Sequence, residues 1–451
     1  MAIAKDDHSC SVKGWLKKYF LEGQQLQKGQ SEKLEEALQN AQWHKRFLAR
    51  NRRLIAMLLP CSIAQFLYWS TFISYGRWEL YPERYEMSIT MVIASIISGM
   101  TSQGGGAIAF PVMTLALGIL PSVARDFGLL IQACGMTAAG ATIAMMRIQL
   151  EMRSLIFCTL GGVIGAVAGF HLVDPYLQPP QKKMIFVSIY FSFAFALFLL
   201  NRYRGRKTFQ SIQNINLSKL GVLVLTGMCG GVLTSFAGCG LDICCYSVLT
   251  LLFRVSEKVA TPTAVTLMGI NSVFSSYWRT FVMQETSTDA MLYVVVCIPI
   301  VVIGAPFGSL IGSHFHRVSL IGSHFHRMSL IGSHFHRVSL IGSHFHRLVL
   351  AAVIYTIDIV ALVSAFVIVK LTTTLVVTTV VIIVIGFAVF MLLTYQGGRM
   401  LQALEDAEET GGMEADVENG SVNRAFSDDG DGSTALAEGD EKPAEVSKGD
   451  Q

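Results

Sequence analysis

Charge is what this sequence has least of. Only 15% of its 451 residues are Asp, Glu, Lys or Arg, against about 25% in an average soluble domain. From Leu54 to Thr394 the charges sit between apolar runs of about 20 residues, roughly the length that crosses a 30 Å hydrocarbon core. That excludes a soluble globular fold and predicts a polytopic membrane protein. Other absences narrow the function. The first 53 residues contain no early apolar h-region, so no cleavable signal peptide is expected and targeting falls to the first span. The nine cysteines (Cys10, Cys61, Cys134, Cys158, Cys229, Cys239, Cys244, Cys245 and Cys297) include no zinc-type CxxC pair. Most lie in apolar runs, where cysteine behaves as a small hydrophobe, and no disulfide framework is read. There is no nucleophile–base pair, phosphate-binding loop or metalloprotease motif. The expectation is therefore no enzyme, no cofactor and no nucleic-acid partner.

The charge that is present is unevenly placed. Gln396–Gln451 holds fifteen acidic and four basic residues, a net of −11, which leaves +14 for residues 1–395. A tail of that composition, rich in Gly, Ser, Ala and Glu, cannot bury enough apolar surface to fold and is expected to be disordered. Residues 1–53 form a basic arm ending in Lys45, Arg46, Arg50, Arg52 and Arg53. Beside a span, such a cluster marks the cytoplasmic side and contacts anionic lipid.

Apolar runs at Leu54–Ile73, Phe127–Met146, Ser154–Val173, Met184–Leu200, Val259–Tyr277, Met291–Gly308, Val349–Val369 and Leu375–Tyr395 read as ordinary spans. Two others are broken in the middle: Ser88–Leu120 by GMTSQGGG (Gly99–Gly106), and Leu220–Phe253 by GGVLTSFAGCG (Gly230–Gly240). Each half of about 13 residues is too short to cross alone. If both are re-entrant hairpins, the basic loops at Arg147 and Arg153, Arg202–Lys207, and Arg254 and Lys258 all fall on the side of the basic arm, as the positive-inside rule requires. Three spans between the hairpins then give inverted topology, a common plan of secondary transporters.

The halves also match in sequence. MTSQGGG (Met100–Gly106) parallels LTSFAGCG (Leu233–Gly240) with one residue inserted in the second, and Gly161, Gly165, Gly169 and His171 match Gly304, Gly308, Gly312 and His314 at a constant offset of 143. The predicted fold is all-α and polytopic: two inverted repeats, each with a glycine-broken re-entrant hairpin plus spanning helices. The boundaries are a cytoplasmic arm at 1–53, a first membrane half at 54–201, a basic loop at 202–218, a second half at 219–395 and the tail at 396–451. A different repeat, SLIGSHFHR, occurs four times in Ser309–Leu348 and carries His314, His316, His324, His326, His334, His336, His344 and His346. Its period of ten turns a helical pattern by about 80° per copy, so it builds no helical face. A lengthened cytoplasmic loop is the plain reading; a His-x-His metal array and a pH sensor are the alternatives.

The broken segments carry the candidate chemistry. Non-helical backbone at membrane depth must face protein or a water-filled cavity, and glycine lets another group approach the chain closely. The second half of each hairpin starts a helix, whose free N–H groups and dipole favour an anion. The expected binding residues are Thr101, Ser102, Gln103, Gly104, Gly105, Gly106, Thr234, Ser235, Gly238 and Gly240. Gln132 and Asn271, on the following spans, either line the same cavity or bond between helices. Asp242, Asp358 and His171 are intramembrane ionisable groups and so candidates for ion coupling; Asp242 either caps its half-helix and competes with an anion or carries a proton. The glycines of Gly161–Gly169 and Gly304–Gly312 are read as helix-packing positions, and Arg279 is placed at an outer interface.

On the segments SGMTSQGGGAIAFPVMTLALG (Ser98–Gly118), GGVLTSFAGCGLDICCYSVLTLL (Gly230–Leu252) and IGAPFGSLIG (Ile303–Gly312), the chain resembles the sulfite exporter TauE/SafE family over about Ser88–Tyr395. The resemblance implies two related halves and movement of sulfite, organosulfonates or related small anions. The basic arm, the acidic tail, the histidine repeat and Asp242 depart from that pattern, and Asp242 leaves substrate and coupling ion open. The expected partners are the small anion and membrane lipid, with a homo-oligomer and a cytoplasmic partner of the tail left open. The rivals are a metal transporter or sensor built on the histidines and a non-transporting membrane scaffold.

Overall fold

A chain in lipid must satisfy its own backbone, and an α-helix does so within one segment. The computed structural model describes residues 51–101, 105–202, 208–315, 352, 354–370 and 372–428. It is helical almost throughout; among the described residues the only strand-like pairing is an isolated bridge between Phe209 and Val255. The helices are α1 (Arg52–Tyr75), the short α2 (Leu80–Glu83), α3 (Tyr85–Met100), α4 (Gly106–Pro111), α5 (Pro121–Met146), α6 (Met152–Leu172), α7 (Pro179–Arg202), α8 (Leu217–Ala237), α9 (Leu241–Ser247), α10 (Glu257–Tyr277), α11 (Thr288–Phe315), α12 (Ile354–Ile368) and α13 (Thr373–Asp428). Among the described residues, six stretches are long and apolar enough to cross a membrane: Ile55–Tyr75, Pro121–Met146, Met152–Tyr176, Leu217–Ala237, Thr288–Ile311 and Thr373–Ala403. The protein is a multi-pass membrane protein. Met1–Gly397 and Gly398–Gln451 form separate units, and the first holds α1 to α12 with the apolar start of α13. Most of the basic arm (1–50), part of the loop after α7 (203–207), the repeat beyond Phe315 and the tail beyond Asp428 lie outside the described residues.

One arm is longer than the hydropathy pattern suggests. α8 runs 21 residues, from Leu217 through Gly230 and Gly231 to Ala237, so the break falls at Gly238–Gly240 rather than at the centre of the motif. The reason is packing. Gly230 and Gly231 stay helical where Leu241 and the α6 backbone press on them, and the chain turns only where Gly238 (φ 79°) and Gly240 (φ 145°) adopt conformations that L side chains rarely take.

The two halves are built alike in detail. After each break the short helix widens into a five-residue π turn, Val112–Ala116 and Val248–Leu252. A left-handed residue follows, Gly118 (φ 66°) and Arg254 (φ 54°). An extended residue comes next, Leu120 and Ser256, both at φ −60° and ψ 137°, and a long helix starts. Each of these pairs is 136 residues apart.

The major helix pairs are also reciprocal: α6 packs on α8, and α11 packs on α3. A Cβ added to Gly165 would overlap the Met228 carbonyl oxygen, and one on Gly308 the Ile96 carbonyl oxygen. Likewise a Cβ on Gly231 would overlap the Gly162 carbonyl, and one on Gly99 the Ala305 carbonyl. Backbone meets backbone in both pairs, the use that small residues have between membrane helices. α5 packs on α10 and on α11, and α10 packs also on α6, so these two helices join the pairs.

One end of the bundle is tied by charge. α5 starts at Pro121, six residues before the expected span, and so buries Arg125 and Asp126. Arg125 Nε donates to Asp126 Oδ1 (2.9 Å), and its Nη1 pairs with Asp174. Asp174 also takes Lys182 Nζ (2.5 Å). Arg279 faces Asp126 Oδ1 at 3.5 Å and Glu285 Oε2 at 2.8 Å, while the Ser287 N–H donates to Asp126 Oδ2 (2.9 Å). Arg84, just before α3, reaches Asp289 at the start of α11 (3.4 Å). The other end is tied by neutral and single-charge contacts: Thr263 Oγ1 accepts from the Glu151 N–H (3.0 Å), Glu151 Oε2 from the Ile212 N–H (3.3 Å), and Phe209 exchanges hydrogen bonds with Arg254 and Ser256.

This packing sets two stability outcomes. Gly165→Val and Gly308→Val must force facing helices apart, and each is expected to destabilise the purified protein by about 1–3 kcal/mol or more. Gly221→Val, whose Cβ meets nothing within 4 Å, serves as the tolerated control in the same thermal-melt assay. Arg125→Ala leaves the buried Asp126 and the part-buried Asp174 short of a cation and is expected to cost about 3–5 kcal/mol. Arg84→Ala, whose partner Asp289 is 67% exposed, is expected to cost under about 1 kcal/mol; equal losses in the two variants would refute the network's role.

Candidate functional site

The two breaks meet. Gly238 stands against α5, its Cα 3.6 Å from where a Gly128 Cβ would be, and a Cβ of its own would lie 2.7 Å from the Arg125 carbonyl oxygen. Its left-handed turn aims its own carbonyl at Gln132, which donates to it from Nε2 (3.0 Å). A Cβ on Gly106, at the start of α4, would lie 2.6 Å from Gln132 Nε2 and 3.0 Å from Cys239 Sγ. The carboxamide of Gln132 therefore sits between the first tip and the second. Tyr190 of α7 donates to Cys239 Sγ (2.9 Å) from the far side.

Several buried polar atoms around this point have no partner. They are Gln132 Oε1, Asp242 Oδ2, and both Oδ1 and Nδ2 of Asn271. All three residues are nearly inaccessible, at 2%, 1% and 0% exposure. Leaving such groups unpaired costs about 1–3 kcal/mol each, and all three residues lie on the elements that adjoin the two chain breaks. Asn271 borders the second tip: a Cβ on Gly162 would lie 3.1 Å from its Oδ1 and 2.9 Å from Leu241.

The donors expected of the second half-helix are already in use. Asp242 Oδ1 accepts from the Gly240 N–H (3.1 Å) and the Ile243 N–H (3.0 Å). A carboxylate of the chain itself thus occupies the position that the dipole argument reserves for a bound anion. The hydroxyls of the motif also turn inward, Thr234 to the Gly230 carbonyl (2.8 Å) and Ser235 to the Val232 carbonyl (2.7 Å) of their own helix.

In the first tip, Thr101 is buried and ends α3 in extended conformation. Gly105 faces Met91 and Ser98, at 3.5 Å or more from an added Cβ. Ser102, Gln103 and Gly104 lie outside the described residues. Of the ionisable candidates, Asp358 is buried on α12 within electrostatic reach of Tyr190, as is Asp242. His171 is exposed and accepts from Trp278 Nε1 (3.3 Å), apart from these contacts. Among the described residues no group of three or more His, Cys, Asp or Glu is placed to hold a metal. His314 lies on α11 with its side chain undescribed, and the remaining repeat histidines lie outside the described residues.

Sequence reasoning passed over Cys239 and Tyr190. A signal for the first existed: Cys239 stands at the one-residue insertion that distinguishes the second motif from the first. Tyr190 had none, lying in an unremarkable apolar span. The Arg125–Asp126–Asp174–Arg279 network was missed too, because its members are scattered over three elements far apart in sequence.

A family model described as Sulfite exporter TauE/SafE matches residues 87–321, more than half the chain. The matched stretch takes in both breaks, both reciprocal helix pairs and the ion network. No curated protein and no solved structure matches. With both glycine-broken segments and the helices that pack on them inside the match, the chain belongs to the sulfite exporter TauE/SafE family.

Proposed function

We propose that this protein is a secondary transporter of a small sulfite-like anion, held where the two chain breaks meet at Gln132. The carrying observation is the convergence of Gly106, Gly238 and Cys239 on one buried carboxamide, beside unpartnered polar atoms of Gln132, Asp242 and Asn271. The family's description supplies the substrate class. Each broken segment is a re-entrant hairpin, and the two are inverted repeats. The end contacts support this: α3 and α5 both begin beside residues 287–289, whereas α8 and α10 both begin beside the 209–212 and 254–256 contacts. The basic arm and loops set the arm side as cytoplasmic. Transport follows by movement of the α6–α8 and α3–α11 pairs about the packed α5 and α10 helices, exposing the tips to one side and then the other.

An anion at this point meets backbone N–H groups of the first tip and the Gln132 and Asn271 amides rather than a lysine or arginine. Dipolar binding of that kind holds an anion without trapping it, which a carrier requires.

Purified protein in liposomes is expected to exchange labelled sulfite, sulfate or an alkanesulfonate in a saturable way. Gln132→Ala removes an amide that meets both tips and is expected to lower that exchange about 10- to 100-fold, the value of a hydrogen bond to a charged group. Gly106→Val, which drives a side chain into Gln132 and Cys239, is expected to abolish exchange. Folded wild-type protein that exchanges none of these anions would refute the reading. Deleting three of the four SLIGSHFHR copies is expected to leave exchange intact; its loss would favour the histidine-dependent metal reading instead.

A further inference from the structure

Asp242 is the unusual group of the second tip. It is 1% exposed, and no described ion pair includes it. One oxygen takes the two N–H groups of the α9 entrance, and the other has no partner. Among the described residues, the ionisable side chains within electrostatic reach of it include Cys244 and Cys245 on its own helix, Cys239 in the turn and Tyr190 from α7; Cys158 from α6 and Cys229 from α8 lie beside those helix cysteines, and Asp358 from α12 lies beyond Tyr190. None of them is a cation. α5 and α10 present the amides of Gln132 and Asn271 to the second tip, and these do not titrate. Ionised, Asp242 is an anion tethered in the anion's place: it holds the free N–H donors and repels any second negative charge. Protonated, it is neutral, its grip on the two N–H groups weakens, and its free oxygen carries an O–H that donates to an arriving anion.

We propose that Asp242 is a built-in competitor of the substrate whose protonation opens the second tip, so that one proton and one anion bind and cross together. This rests on the anion-transport reading above. The step balances without a co-reactant: a solvent proton adds to the unpartnered Oδ2 as the anion arrives, and both leave on the far side. The first tip has no counterpart: two residues past the motif's last glycine stands Ile108, and the 136-residue offset of the later turns gives Gly106, neither of them an acid. The coupling is therefore lodged in one half only.

The test uses full-length protein in liposomes with the membrane potential clamped, labelled sulfite and methanesulfonate as probes, and a pH dye trapped inside. The wild type is expected to accumulate the carried anion about tenfold for each unit by which the interior is more alkaline, the equilibrium for one coupled proton. The dye should report acidification that depends on the anion. Asp242→Asn is expected to abolish that accumulation and to make exchange insensitive to pH between 6 and 8, while Asp242→Glu restores coupling. Sulfite's own protonation is common to all variants, and methanesulfonate keeps its charge throughout. Wild-type exchange that ignores the pH gradient overturns the proposal and leaves the transporter reading standing, as does coupling that survives in Asp242→Asn. Absence of any exchange by folded wild type overturns both. Should Asp242→Asn fail to fold, the wild-type accumulation ratio and the anion-dependent acidification still decide the matter.

Discussion

Everything in this bundle depends on what fills the gap where an apolar helix stops short. In lipid no water satisfies the freed N–H and C=O groups, so protein must. Here the two gaps are closed against each other: Gln132 takes the Gly238 carbonyl and abuts Gly106, and Asp242 takes the two N–H groups at the start of α9. The backbone-to-backbone contacts of α6 with α8 and of α11 with α3 bring the arms close enough for this to happen. Without glycine at those contacts the arms would stand apart and the tips would not reach one α5 residue.

The two offsets relating the halves have a physical reconciliation. Helix starts and turns repeat at 136 residues, whereas the packing glycines repeat at 143. α6 has 21 residues and α11 has 28, so the difference is taken up within the helix. Seven residues are about two turns at 3.6 per turn, which returns a residue to nearly the same face. The longer helix therefore presents its glycines to α3 as the shorter one does to α8. A length difference of five would have turned them well away from the partner.

That arithmetic also shows what the sequence made legible. Helical class, the apolar runs, the existence of two breaks and the packing use of Gly161–Gly169 and Gly304–Gly312 rest on period and local composition, and these can be read along one chain. Gln132 and Asn271 were equivocal because a buried amide on a helix bonds equally well to a neighbour or to a ligand; their partners decide, and those lie 106 residues away for Gln132. The π turns after each half-helix have no compositional signature. The ion network was illegible for a stronger reason: Arg125 and Asp126 read as the polar margin before a span, and only the fold brings Asp174, Lys182 and Arg279 to them.

The network's composition in turn bears on how the proposed anion site would select charge. It holds three cations (Arg125, Lys182, Arg279) and three carboxylates (Asp126, Asp174, Glu285), so it balances and projects little net field toward the breaks. Its effect is positional. Gly238 rests on the Arg125 backbone, and the buried pairs fix that turn of α5 in place. On the proposed reading, attraction for an anion comes from oriented amides and peptide dipoles, which are short-ranged and directional. Against so weak a field a single internal carboxylate is a large perturbation, because one unit charge in a poorly screened interior outweighs any one dipole. A site of dipoles with an acid at its rim responds to the ionisation of that acid more strongly than a site built on lysine or arginine would.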